Sequence, residues 1–263
     1  MKTTTARLCC AHSAAQGPMW GTKTSRRRGK HRDVLFLQIA ACYTPSTMLN
    51  LLFDQPALFF VVLLAIIFAL SFHEFAHAFI GYKLGDTTAQ RLGRLTLNPL
   101  AHIDWLGLLM LVTVGFGWGR PVPFNPHNLK YKAWGPVLVA FAGPVSNLVL
   151  ALVSAGLFWA FALSGLLSSG NALMMFFGFS VVINLALMFF NLIPLPPLDG
   201  SKLLLLALDK PKFAQARFWL ETRGFWILIG VLVVDSFTGI NAFGWLFALV
   251  TRAANGLLGG AFL

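Results

Sequence analysis

The stretch PALFFVVLLAIIFALSFHEFAHAF, Pro56 to Phe79, decides the fold and points to the chemistry. From Pro56 to Phe72 it carries no charge, and it then presents His73, Glu74 and His77 in quick succession. On a helix, His73 and His77 stand one turn plus about 40° apart, so both imidazoles project from one face. Two neutral imidazoles at that spacing can each give a nitrogen to a tetrahedral zinc ion, leaving room for a third ligand and a water. Glu74 stands about 100° round the helix from His73, beside a metal rather than on it, where a general base belongs. H-E-x-x-H on a helix is the corresponding motif. It also arises by chance in soluble helices. Inside an apolar span that explanation weakens, because ionisable groups in lipid are costly and mark function.

Composition agrees with a membrane setting. The 263 residues are 57% hydrophobic and 11% charged, where an ordinary soluble domain is about 25% charged. With several long uncharged runs, this predicts an all-α polytopic membrane protein of about five to six transmembrane or re-entrant segments. The net charge of +11 would suggest nucleic acid if it were spread through the chain, but it is not. Residues 1–47 hold eight basic side chains and one acid; the twelve basic and eight acidic residues that follow leave only +4. Basic cytoplasmic loops account for that, and nucleic-acid binding is excluded as a function. All three cysteines, Cys9, Cys10 and Cys42, also fall in the first segment. No disulfide therefore staples the apolar body, and no cysteine ligates its metal.

Two regions follow: a basic extension, 1–47, and a single membrane-embedded domain, 48–263. The extension admits three readings: a targeting peptide, a disordered basic arm, or translated sequence upstream of a start at Met48. After the first span come Lys83, Arg91 and Arg94, which by the positive-inside rule place that end in the cytoplasm. Residue 48 then lies outside, the wrong side for an arm bearing Arg26-Arg27-Arg28, which favours Met48 as the start.

Between Ala89 and Asp104 the composition suggests one or two short strands, and Trp105 to Trp118 is apolar but too short to span. A small membrane-associated β element or re-entrant segment is expected there. Arg120-Pro-Val-Pro-Phe-Asn-Pro126 reads as extended backbone. Trp134 to Leu167 is a long span interrupted by FAGPVSN, residues 141–147, with a kink expected at Gly143-Pro144. Asn147 is either interhelical glue or a donor aimed at the metal site. Ala172 to Ile193 forms another span and ends in NLIPLPPLDG, residues 191–200. Asp199 is the natural third ligand to His73 and His77; its alternative is a helix N-cap. Two crossings from residue 134 return it to the level of the histidines. His102 and His127 are rival ligands without a partner at helical spacing. Phe218 to Val234 and Ile240 to Val250 make a final hairpin.

With these residues assembled, the chain resembles the site-two protease family of intramembrane zinc metalloproteases, over about Phe53 to Asp209. The likeness rests on His73-Glu-Phe-Ala-His77, on Phe141 through Asn147, and on Asn191 through Gly200, in that order. It implies one zinc ion on His73, His77 and Asp199, with Glu74 as catalytic base and Asn147 and Asn191 lining the site, stabilising an oxyanion or positioning substrate. It further implies that the extended segment and short strands hold substrate, a transmembrane protein, within the bilayer. A PDZ or CBS domain is missing, as in a minimal, bacterial-type member of the inner membrane. A non-cleaving helix-binding relative and a metal-ion transporter are the competing classes.

Overall fold

The computed structural model describes residues 47–115, 117–168, 170–238 and 243–260. The expectations for the basic extension lie outside the described residues, apart from Thr47. Helix α1, Thr47–Asp54, folds back on α2, Pro56–Lys83, through Met48, which is buried against Phe59 and Val62. Pro56 opens α2 where a missing N–H costs nothing and a fixed φ helps. At 28 residues, α2 rises about 42 Å, more than the roughly 30 Å hydrocarbon core.

Two further long helices follow: α5, Gly135–Ser164, and α6, Ala172–Asn191. Among the described residues, these two and α2 are the helices long and apolar enough to cross a membrane. Helix α5 continues through Gly143 and Pro144 and ends at Gly165, whose φ of 66° is left-handed. The Asn171 side chain caps the start of α6 by accepting from the Leu173 N–H.

The three spans pack on one another, with α2 touching both α5 and α6. Small side chains fill the contacts: Ala65, Ala69, Ala140, Ala151 and Ala155 are buried. Large ones, such as Phe60, Leu148 and Leu152, face outward. That sorting suits lipid, where close backbone approach rather than hydrophobic expulsion holds helices together. The two segments expected at the end take the form of α8, Ala214–Thr238, and α9, Gly244–Leu258. Val250, Ala254 and Leu258 of α9 seal the core made by Ala151, Met174 and Val181.

The expected β element is not present among the described residues. Its place is taken by α3, Thr88–Arg91, a 3₁₀ turn at Pro99–Ala101 and α4, Trp105–Val114. Strand pairing reduces to one antiparallel bridge, Ile103 with Gly119. The reason lies in the caps. Asp104 accepts from the Gly107 N–H at 2.9 Å and Gly115 closes α4 with φ 82°, so the apolar run satisfies its own backbone. A lone strand would have had no partner for its N–H and C=O groups. Ten residues rise about 15 Å, which does not cross a bilayer, so α4 fits the re-entrant alternative.

The chain then returns along residues 119–125 as extended backbone. Arg120 N–H donates to His102 O at 2.8 Å and Asn125 N–H to Asp86 Oδ2 at 2.7 Å. These anchors lay the segment beside the His73–His77 turn of α2.

Candidate active site

Helix α2 delivers His73 and His77 on one face, as the spacing predicts, with their ring centroids 4.6 Å apart. Asp199 arrives from the loop after α6. Gly200 N–H donates to Asn191 O at 2.7 Å, closing that loop on the helix end. A Cβ on Gly200 would lie 2.5 Å from the Leu192 carbonyl carbon, so only glycine permits this approach. Helix α7, Ser201–Ala207, takes Gly200 as its N-cap with no side-chain cap. The Asp199 carboxylate is thereby released from capping and turned to the histidines. Its Oδ2 lies 3.2 Å from His73 Nε2 and 3.4 Å from His77 Nε2.

The hydrogen bonds behind the histidines fix what those nitrogens carry. His77 Nδ1 lies 2.7 Å from Val139 O, a carbonyl that can only accept, so Nδ1 bears the proton. His73 Nδ1 lies 2.6 Å from Asn147 Oδ1. Asn147 Nδ2 donates to Asn184 Oδ1 at 2.7 Å and reaches Ala69 O at 3.3 Å. Asn184 Nδ2 in turn donates to Ser180 O at 2.8 Å. A backbone carbonyl thus orients Asn184, Asn184 orients Asn147, and Asn147 accepts the His73 Nδ1 proton. In the neutral rings both Nε2 atoms then carry lone pairs facing the Asp199 carboxylate.

With both imidazoles neutral, such a cluster turns lone pairs on one another unless a proton or a metal ion sits between them. Asp199 Oδ2 is buried and has no hydrogen-bond partner among the described residues. The three ligand atoms lie within 4.8 Å of one another. Bonds of about 2.0–2.1 Å to a tetrahedral zinc put ligand atoms roughly 3.3 Å apart, close to the two distances observed. Gly143 of α5 forms one wall: a Cβ there would lie 2.5 Å from His73 Cε1 and 2.6 Å from His77 Cε1. The donor set of two imidazoles and one carboxylate fits zinc.

Glu74 is 9% exposed, and its Oε2 accepts the Val122 N–H at 3.0 Å. One carboxylate oxygen is therefore fixed by the extended segment. The rival histidines are elsewhere. His102 is fully buried with Nε2 2.8 Å from Thr96 O, and His127 sits exposed on the 3₁₀ turn Pro126–Asn128. Neither joins the cluster of metal-competent side chains.

Asn147 departs from the role that the resemblance implies. Asn147 is fully buried and every polar group of its side chain is engaged, so it has none to offer an oxyanion or substrate. It orients His73, the support that metal-bound histidines ordinarily receive from outer partners. Asn191 Nδ2 donates to Leu187 O at 3.0 Å, and its own carbonyl holds the Asp199 loop. Sequence reasoning passes over Asn184, although an amide within an apolar span is the same signal that singles out Asn147. Val122 acts through its backbone and carries no side-chain signal.

Fold and site together define a membrane protein with a metal centre of hydrolytic type. The profile of peptidase family M50 matches residues 160–231, which include Asn191 and Asp199. The chain is 42% identical over 146 residues to the putative zinc metalloprotease YwhC of Bacillus subtilis, covering 54% of this chain and 67% of that protein. It is 35% identical over 201 residues to the putative zinc metalloprotease Rip2 of Mycolicibacterium smegmatis, covering 73% and 72%. Rip2 of Mycobacterium tuberculosis is 31% identical over 198 residues, with the same coverage. No solved structure matches. The chain belongs to the site-2 protease family, peptidase family M50, whose members are zinc metalloproteases.

Proposed function

We propose that this protein hydrolyses a peptide bond in or near a transmembrane segment of a membrane-protein substrate. The observation that carries the reading is the convergence of His73, His77 and Asp199 with Glu74 beside them, inside an apolar bundle. Zinc held by His73, His77 and Asp199 would lower the pKa of a water towards about 7 and polarise the scissile carbonyl. Glu74 would take a proton from the attacking water at the carboxylate oxygen not held by Val122 as the water oxygen bonds to the carbonyl carbon, and would give it to the amine nitrogen as the C–N bond breaks. The Asn184–Asn147 pair keeps the His73 ring and its tautomer fixed throughout.

A transmembrane helix hides its carbonyls in intrahelical hydrogen bonds, so the substrate must unwind locally before it is cut. Residues 119–125 offer a place for the freed groups. Among the described residues, no hydrogen bond reaches Val122 O or the Phe124 N–H. An extended substrate added at this edge would pair by β-augmentation. The placement of Lys83 and Arg91 after α2, and of Lys202, Lys210 and Lys212 after α6, favours a site near the cytoplasmic face of a bacterial inner membrane. His77 precedes Lys83 by about 9 Å of helix rise. The proposed function is intramembrane proteolysis, of the regulated kind that the resemblance implies.

The test is cleavage of a transmembrane substrate by purified protein in detergent, parent against Glu74→Gln, with zinc measured on both. The expected result is cleavage by the parent, lost in Glu74→Gln with zinc retained. Equal cleavage by both would remove Glu74 from the mechanism. Zinc bound in both without cleavage of any transmembrane substrate would favour a helix-binding or ion-carrying role.

A further inference from the structure

Among the described residues, Arg94 is the basic side chain that is buried, at 7% exposure. It follows Gly93, whose φ of 67° turns the chain inward after α3. No carboxylate lies within ion-pair distance of it among the described residues, and its Nε has no hydrogen-bond partner. Burying a guanidinium without a paired anion is expensive. Burial and the neighbouring Arg120 charge both press the Arg94 pKa downward, while the field of Glu74 supports its charge. Such a residue requires a task that repays its cost.

Its contacts identify that task. Arg94 Nη2 donates to Arg120 O at 2.5 Å and reaches Pro121 O at 3.4 Å. Pro121 and Pro123 have no N–H, so Val122 carries the single backbone donor of the Pro121–Pro123 stretch. That donor goes to Glu74 Oε2. Pro121 C=O and Val122 N–H belong to one planar peptide unit. Arg94 holds chiefly the Arg120 carbonyl that leads into this unit, with a longer contact to its oxygen end, and Glu74 takes its hydrogen end.

We propose that Arg94 is a positioning residue for Glu74, acting through the Pro121–Val122 peptide. The proposal rests on Glu74 being the catalytic base. Arg94 touches neither substrate nor metal ligand; it sets where the base stands. A group that only braced the fold would affect zinc content along with turnover, whereas this one affects turnover with zinc content held.

The experiment uses the full chain in detergent with zinc bound, comparing parent, Glu74→Gln, Arg94→Gln, Arg94→Lys and Val122→Pro. Arg94→Gln is expected to lower kcat on the order of 10- to 100-fold, since small misplacements of a reacting group cost that much. Zinc content stays near the parent value, and KM rises by less than kcat falls. Arg94→Lys falls between, because an ammonium replaces the charge but not the planar fork. Backbone amide exchange across residues 119–125 rises in Arg94→Gln. Val122→Pro deletes the donor itself and lowers kcat comparably, and adding Arg94→Gln to it brings no further loss. Parent-like kcat in Arg94→Gln, a loss confined to KM or zinc, or full additivity with Val122→Pro would each overturn the proposal. If Arg94→Gln does not fold, parent-like kcat in Val122→Pro overturns it. Failure of the catalytic reading looks different: Glu74→Gln would then match the parent, while the exchange measurement still reports on the Arg94 tether.

Discussion

His73 Nδ1 and Asn147 Oδ1 lie 2.6 Å apart in the buried centre of the bundle, and Asn184 holds the far side of the same amide at 2.7 Å. In the neutral ring the chain of contacts leaves His73 Nε2, which faces Asp199, unprotonated. Asn147→Leu removes the acceptor and frees the ring to rotate or change tautomer. It is expected to weaken zinc binding about 10- to 100-fold, the usual effect of losing such a partner. Asn184→Leu is expected to act in the same direction but less, because Ala69 O still engages Asn147. Competition for zinc against a chelator measures both. Parent-like zinc affinity in Asn147→Leu would show that the amide has no part in holding the site.

Gly143→Ala separates close approach from helix propensity. In an ordinary helix interior, Ala gains roughly 0.5–1 kcal/mol over Gly. At Gly143 the added Cβ would sit 2.5–2.6 Å from both imidazoles, inside any real carbon contact. Steric exclusion wins, and the variant should lose zinc and cleavage together. Circular dichroism should show the helices intact while zinc analysis shows the loss. Full zinc occupancy in this variant would mean that α5 does not press on the histidines as described.

Much of the site was legible because its groups are side chains whose spacing has chemical meaning. His73, Glu74 and His77 share one helix, and Asp199 follows a proline-rich exit that no helix can continue. The three long helices follow from uncharged runs. The segment between residues 89 and 118 was not legible as strand or helix, since a short apolar run fits either and the decision fell to the caps at Asp104 and Gly115. Asn147 was legible as important but not in its role, because nothing local says whether an amide faces a substrate or the back of a histidine. Val122 and Arg94 depend on backbone contacts between distant segments, which periodicity does not encode.

Asp199→Asn should change zinc binding and metal-free stability in opposite directions. The amide keeps the shape but loses the charge, so zinc affinity should fall at least tenfold, about 1.4 kcal/mol. Without metal, the parent holds a buried carboxylate oxygen with no hydrogen-bond partner. An amide N–H in its place can donate to the facing Nε2 lone pairs. In excess chelator at alkaline pH, where both imidazoles are neutral, the variant should therefore melt higher than the parent, and adding zinc should reverse the order. Thermal unfolding in detergent, with and without zinc, reads both. A variant less stable than the parent under chelator would contradict the lone-pair assignment of the two histidines.

Asp86 ties the catalytic segment to the end of α2, and its effect should depend on pH in one direction. The carboxylate is 1% exposed and accepts from Thr88 N–H at 3.1 Å, Thr88 Oγ1 at 2.5 Å, Asn125 N–H at 2.7 Å and Asn128 Nδ2 at 3.0 Å. Burial pushes its pKa up, but the bonds from Thr88, Asn125 and Asn128 together outweigh it and hold the group below the ordinary carboxylate range. A carboxylate depressed in the folded state contributes stability above its unfolded pKa, near 3.9, and loses it as pH falls through the folded value. Asp86→Asn keeps an acceptor but not the charge, so it should cost on the order of 2 kcal/mol at neutral pH. The parent's advantage should persist at pH 5 and shrink only in strongly acidic solution. Melting temperatures of both proteins from acidic to neutral pH would check this. Because Asn125 anchors one end of the 119–125 segment, the variant should also lose cleavage at neutral pH while its zinc content holds. A melting difference that stayed constant into strong acid would show that the ionised carboxylate is not what binds the segment.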